Sequence, residues 1–136
     1  MTTDSTSGMI TFTSPWSFTE TVEKIEATLQ AKKIKLFARI DQAAEAAAVG
    51  LTLRPTVLLI FGDPAKGTPL MDSHPGLAMD LPLKALVWEA GPSEVCIGLN
   101  SPEFLQKRHQ LPSAPFSEVI RLFAGIVDAG KNPSSK

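Results

Sequence analysis

Four short stretches carry side chains whose types and spacing could do chemistry. The first is Gly62-Asp63-Pro64-Ala65-Lys66-Gly67-Thr68. It has the outline of a phosphate-cradling loop, but its lysine precedes the second glycine, and Pro64 and Pro69 remove two backbone N–H donors. A nucleotide-hydrolysing loop is rejected on those grounds. What remains is a helix N-terminus near Lys66 and Thr68, with Asp63 beside it. A positive dipole end, free N–H groups and a hydroxyl there suit a small anion or carboxylate. The plainer reading is a capped helix in a connecting loop. The second stretch ends in His109, after Gln106-Lys107-Arg108. As a general base, His109 would need an orienting carboxylate, and Asp41, Glu45 or Glu89 could supply one only through folding. As a residue at a helix C-terminus it is simply a structural cation. The third, Met71, Asp72, His74 and Met79, could be imagined as soft-metal ligands. Zinc wants about four well-spaced Cys or His ligands, and the chain holds two His and one Cys in total. No metal and no cofactor is expected; His74-Pro75-Gly76 reads as a turn and the two methionines as core filler. The fourth is Lys32, Lys33 and Lys35, downstream of Glu23 and Glu26 and without tyrosine, which reads as a solvated face.

Composition narrows the function classes further. Thirteen Lys+Arg against fourteen Asp+Glu give a net charge of −1, without the basic excess of a nucleic-acid or anionic-membrane binder. A hydrophobic content of 43% is too high for a disordered chain. The longest aliphatic and aromatic run, Val57 to Phe61, is far too short to span a bilayer. Cys96, between Val95 and Ile97, has no intrachain disulfide partner and reads as a small buried hydrophobe. Met1–Gly8 has neither the basic nor the apolar region of a signal peptide, so a cytoplasmic location is the expectation.

The elements that must position these residues follow from local pattern. Met9–Thr13 alternates as a half-buried strand. Ser17 and Glu20 fit a capping box ahead of Phe18, Val22, Ile25 and Leu29, predicting a helix from about Phe18 to Lys32. Ile34–Ile40 reads as a strand, with Asp41 capping the alanine-rich helix Gln42–Ala48 before Gly50. Thr56–Phe61 reads as a central strand covered on both faces. Thr68-Pro69 is expected to open a short helix to Ser73. Leu83–Glu89 and Glu94–Leu99 form a hairpin around Ala90-Gly91-Pro92-Ser93. Ser101-Pro102-Glu103 opens another helix, with Glu103 spaced to pair with Lys107. A final helix carries Phe116, Val119, Ile120, Phe123, Ile126 and Val127, stopped by Gly130 and Pro133. The whole reads as flexible tails over 1–8 and 132–136 around one α+β domain over 9–131. It is a two-layer fold, with a mostly antiparallel sheet covered on one face by helices. Consecutive Leu86, Val87 and Trp88 leave the other face in need of cover, and a second copy of the chain is the economical one.

Several motifs together resemble one bacterial family. They are Phe37-Ala38-Arg39-Ile40-Asp41, Leu53-Arg54-Pro55-Thr56, Leu59-Ile60-Phe61-Gly62-Asp63-Pro64 and Gly67-Thr68-Pro69-Leu70-Met71. Leu81-Pro82-Leu83-Lys84-Ala85-Leu86-Val87-Trp88, Asn100-Ser101-Pro102, Leu105 and Arg108-His109 complete the set. The chain from about Met9 to Val127 resembles the domain of unknown function 302 family. The resemblance implies a β-α-β(4)-α domain, related in architecture to the TATA-binding-protein-like group, and dimer formation. It implies no activity and no catalytic residues. Family members often carry His after the Asp of the first motif, where this chain has Gln42.

Three functions are open to such a chain. The first is a homodimeric module binding a small anionic or amphipathic ligand, with Asp41, Asp63, Lys66, Thr68 and His109 as candidate contacts. The second is a domain whose uncovered sheet face docks another protein. The third is a small enzyme using His109 with a carboxylate. Neither nucleic acid nor a membrane is an expected partner, since architecture alone does not transfer DNA binding.

Overall fold

The computed structural model describes residues 1–131. Its strands are β1 (Thr2–Asp4), β2 (Met9–Ser14), β3 (Lys35–Asp41), β4 (Thr56–Gly62), β5 (Leu83–Gly91) and β6 (Glu94–Asn100). Its α-helices are α1 (Phe18–Ala31), α2 (Gln42–Ala48), α3 (Pro64–Ser73), α4 (Pro102–His109) and α5 (Ser117–Lys131), with a 3₁₀ turn over Pro75–Met79. The strands form one sheet in the order β1-β2-β6-β5-β4-β3. Every neighbouring pair is antiparallel. This is the two-layer α+β architecture expected from the sequence.

The helix starts follow from short polar side chains. Ser17 Oγ accepts from the Glu20 N–H, Asp41 Oδ1 from the Ala44 N–H, and Ser101 Oγ from the Phe104 N–H. Each satisfies a donor that the first helical turn leaves without a partner. Ser101 Oγ also donates to Glu103 at 3.3 Å, which draws that carboxylate back over the cap. Helices α1 and α5 cover one face of the sheet. Their Val22, Ile25, Leu29, Phe123, Ile126 and Val127 meet Ile10, Phe12, Val57, Leu59, Phe61, Val87 and Ile97. The rings of Phe61 and Phe123 lie 5.8 Å apart between centroids. Two polar groups inside this layer are satisfied by each other, Ser14 Oγ to Thr21 Oγ1 at 2.6 Å.

Among the described residues, the other face carries no helix layer of this kind. Cross-strand pairing sets Ile40, Leu58, Leu86 and Gly98 side by side on it, with Trp88 in the next row beside Cys96. These large apolar side chains are half-buried. Strand β4 therefore alternates: Val57, Leu59 and Phe61 are buried while Leu58 and Ile60 are not fully covered. The expectation of cover on both faces holds for one face only.

Four local expectations are corrected. Residues 1–8 are not a structureless tail: β1 pairs with β2, and the turn between them is closed by Asp4 Oδ1, which accepts from the Thr6 and Ser7 N–H groups. The Ser7 hydroxyl, together with those two backbone donors, holds the Asp4 carboxyl below its ordinary range. Helix α3 starts at Pro64, not Thr68, because Asp63 is its N-cap. Gly130 does not stop α5 but lies inside it, against Pro15 and Trp16. Met79 is 75% exposed and fills no core. Residues 132–136, expected as a tail and including Pro133, lie outside the described residues.

Candidate functional site

A cavity of about 730 Å³ opens on the helix-covered side of the sheet. It lies where β4 ends in Gly62, α3 departs, and the first turns of α5 pass overhead. Its apolar wall includes Ile34, Phe37, Phe61, Leu81, Leu83 and Leu122. The β-bulge between Leu36 and Ala38 breaks the β3–β4 ladder beside it, and Phe37 is left outside that register. Charged side chains ring the apolar wall: Lys32 after the end of α1, Asp63 and Lys66 at the start of α3, Glu118 and Arg121 on α5.

The charges differ in how far they are already committed. Lys66 Nζ lies 3.8 Å from Glu118 Oε1, an ion pair running from α3 to α5. Asp63 Oδ1 accepts from the Ala65 N–H at 3.0 Å. The Lys66 and Gly67 N–H groups both bond to the Asp63 carbonyl, and Pro64 has no N–H to offer. The start of α3 is thus self-capped, and the free N–H groups expected there for an anion are already used. Lys32 and Arg121 have no ion-pair partner among the described residues. The cavity therefore joins a large apolar wall to two uncommitted cations.

Three of the five candidate residues, Asp63, Lys66 and Thr68, line this cavity. Asp41 does not. It ends β3 at the opposite end from Lys35, which pairs with Gly62, so it lies roughly 20 Å of strand away at the usual rise per residue. Its carboxylate caps α2. His109 also lies elsewhere and lines neither of the two cavities described.

His109 does have a carboxylate partner, though none of Asp41, Glu45 or Glu89. Its Nε2 lies 2.5 Å from Asp80 Oδ2, and Arg108 Nη1 donates to both oxygens of the same carboxylate at 3.1 Å. Asp80 is only 8% exposed. A buried carboxylate is costly unless it is paired and hydrogen-bonded, and both conditions are met here. The trio ties the 3₁₀ turn to the C-terminal end of α4. Asp80 is separated from His109 by 29 positions, and no local pattern announces it. Nor does any local pattern mark Phe116 and Arg121 as cavity residues, because only the packing of α5 over the sheet brings them there. Cys96 behaves as expected of a buried hydrophobe: burial, with Glu94 nearby, pushes its thiol above the ordinary range. Among the described residues no group of three His, Cys, Asp or Glu side chains is placed to hold a metal ion.

Fold and site define an α+β domain with a sizeable cavity between sheet and helices. The chain belongs to the family described as Domain of unknown function DUF302, whose model matches residues 10–130. It is similar to the fluoride-specific ion channel FluC 1 of Brucella suis biovar 1 (strain 1330). The two are 41% identical over 105 residues, covering 77% of this chain and 41% of that protein. FluC 1 of Brucella abortus biovar 1 (strain 9-941) gives the same 41% identity over 105 residues, with 39% of that protein covered. The chain thus spans about two fifths of the length of the curated relatives it matches. Among solved structures it resembles an uncharacterized conserved DUF302 protein from Bacillus stearothermophilus. That match has a TM-score of 0.75 at 18% identity and covers 89% of this chain and 96% of that one. At that identity the likeness establishes the shared fold.

Proposed function

We propose that the chain is a ligand-binding module that takes an amphipathic anion, apolar end inward, and that it works as a homodimer. One observation carries the ligand: an apolar cavity of about 730 Å³ lined in part by Lys32 and Arg121, neither of which is paired to a carboxylate among the described residues. The volume is in the range usual for organic ligands. A wall of Phe, Leu and Ile side chains favours a hydrocarbon or aromatic body, while two free cations favour a carboxylate, sulfonate or phosphate head. Support for the dimer is the half-buried row Ile40, Leu58 and Leu86, with Trp88 beside it, on the face the helices leave open.

The channel relatives inform this reading without transferring their activity. No helix among the described residues is long and apolar enough to cross a membrane. The match takes in 41% of the first of those relatives, and we read this chain as the counterpart of an appended accessory domain. A monoatomic anion is also far smaller than this cavity, so fluoride is not the ligand it suits.

Isothermal titration with matched alkyl carboxylates, alcohols and ammonium salts tests the proposal. Carboxylates should bind about tenfold or more tightly than alcohols of equal length, the usual scale of a charge-assisted hydrogen bond. The double variant Lys32→Glu/Arg121→Glu should erase that preference. Equal binding of all three head groups, or none, overturns the reading. An enzymatic reading rests on the Asp80–His109 contact alone, and neither cavity brings a substrate to it.

A further inference from the structure

We propose that Phe116 is a partition that sets the length of ligand tail the cavity accepts, an inference that rests on the amphipathic-anion reading above. A second, much smaller void of about 20 Å³ lies beneath α5 and beside α4. Its lining is mostly apolar, with Leu99, Pro102, Leu105 and Ile120 among it, and Lys84 and Asn100 as its polar members. Four side chains border both spaces: Phe61, Leu83, Phe116 and Val119. Those four are the wall between them.

They are not equally fixed. Phe61 is fully buried with its ring tilted against that of Phe123, Leu83 sits in a sheet strand, and Val119 is in helix α5. Phe116 belongs to the connection before α5 and holds a left-handed backbone, with φ of 57°. A phenylalanine there is strained, and such strain persists only where the surroundings hold it in place. The Phe116 carbonyl accepts from the Val119 N–H at 3.1 Å, which anchors the backbone at the entry to α5. The ring is therefore held at the partition from a loop rather than from the interior of a strand or helix. It is the member of the wall whose removal joins the two spaces with the least damage to the core.

The consequence is a length limit. A linear tail gains affinity with each methylene it buries, about fourfold per carbon at the usual transfer free energy. The gain stops where the tail meets the Phe116 ring. Removing the ring opens the way toward Leu105 and Ile120 and should move that limit outward.

The test is isothermal titration of the full chain with linear alkyl carboxylates of about six to fourteen carbons, a span chosen for a cavity of this class. The wild type should gain about fourfold per carbon and then plateau. In Phe116→Ala the plateau should move at least two carbons longer, about a sixteenfold gain for the longest tails at the same increment. Phe116→Gly opens the same space while relieving the left-handed strain, so it keeps the test valid where the alanine variant folds poorly. A plateau that stays in place in both variants overturns the partition and leaves the ligand reading standing. Failure of the wild type to bind any carboxylate overturns the ligand reading, and the partition with it.

Discussion

Helix α5 contains two glycines, Gly125 and Gly130, and the structure predicts opposite signs for the same substitution at each. Helix propensity alone makes Gly→Ala stabilising by about 1 kcal/mol at an interior position. At Gly125 a Cβ would meet nothing within 4 Å, so Gly125→Ala should realise most of that gain. At Gly130 a Cβ would stand 2.4 Å from Pro15 Cγ and 2.6 Å from Trp16 Cε2. Those atoms are not the free end of a flexible chain. Pro15 is a ring, and the Trp16 ring carries Lys24 Nζ at 4.6 Å on its face. Overpacking of this kind costs about 1–3 kcal/mol. Set against a propensity gain of about 1 kcal/mol, that cost leaves Gly130→Ala with a net loss of about 1 kcal/mol. Urea unfolding of both variants measures it. The midpoint should rise for Gly125→Ala and fall for Gly130→Ala, with unchanged slopes. A Gly130→Ala protein as stable as the wild type would refute the close approach of Trp16 to α5.

Two further predictions concern buried polar groups. Asp80→Ala strands the enclosed His109 without its partner and should cost about 3 kcal/mol, whereas Arg108→Ala should cost well under half of that, because the Arg108 side chain is 49% exposed; equal losses in denaturant titrations would contradict the arrangement. The Cys96 thiol, raised by burial, should react with a disulfide reagent far more slowly in the native protein than in denaturant. The same shift makes the associated stability complete below the unfolded thiol's pKa of about 8.5 and lost as pH climbs through the folded value. Cys96→Ala should flatten that alkaline decline, and an unchanged slope would remove the thiol as its cause.

Much of the fold was legible because it is written in local chemistry. Ser17, Asp41 and Ser101 each precede a helix whose start they cap, and each was readable from residue type and position. The same logic misplaced α3, since Asp63-Pro64 and Thr68-Pro69 both carry the signal of a cap followed by proline. The earlier pair prevails: the Asp63 carboxylate takes the Ala65 N–H, and Pro64 occupies a first-turn position where its missing N–H costs nothing. Gly130 was misread for another reason. Its lack of a side chain serves packing against Trp16, 114 positions earlier by residue number, and a stop signal and a contact glycine look identical in one dimension. Strand β1 is exposed throughout, so no apolar alternation marks it; its pairing and the Asp4 turn do the work. The candidate site was half legible. Asp63, Lys66 and Thr68 share one local loop, but Lys32, Phe116 and Arg121 join them only when α1 and α5 settle on the sheet.

The two parts of the proposed function occupy different sides of the sheet, which makes them separable. Phe61 and Leu83, on the cavity wall, pair across the β4–β5 ladder and face the helices. Leu58 and Leu86 also pair across that ladder, but three positions along each strand, an odd offset that turns them to the opposite face. None of Ile40, Leu58, Leu86 and Trp88 lines the cavity. A second copy seated on the open face would therefore leave the mouth of the cavity free, and each protomer would hold its own ligand. It follows that Trp88→Glu, which sets a charge directly beside the apolar row, should shift sedimentation from dimer to monomer while carboxylate affinity stays within about twofold, below the effect of one buried methylene. Loss of ligand binding together with the dimer would instead mean that the partner copy completes the site. A wild type that sediments as a monomer would remove the dimer and leave the cavity to be judged on its own titration.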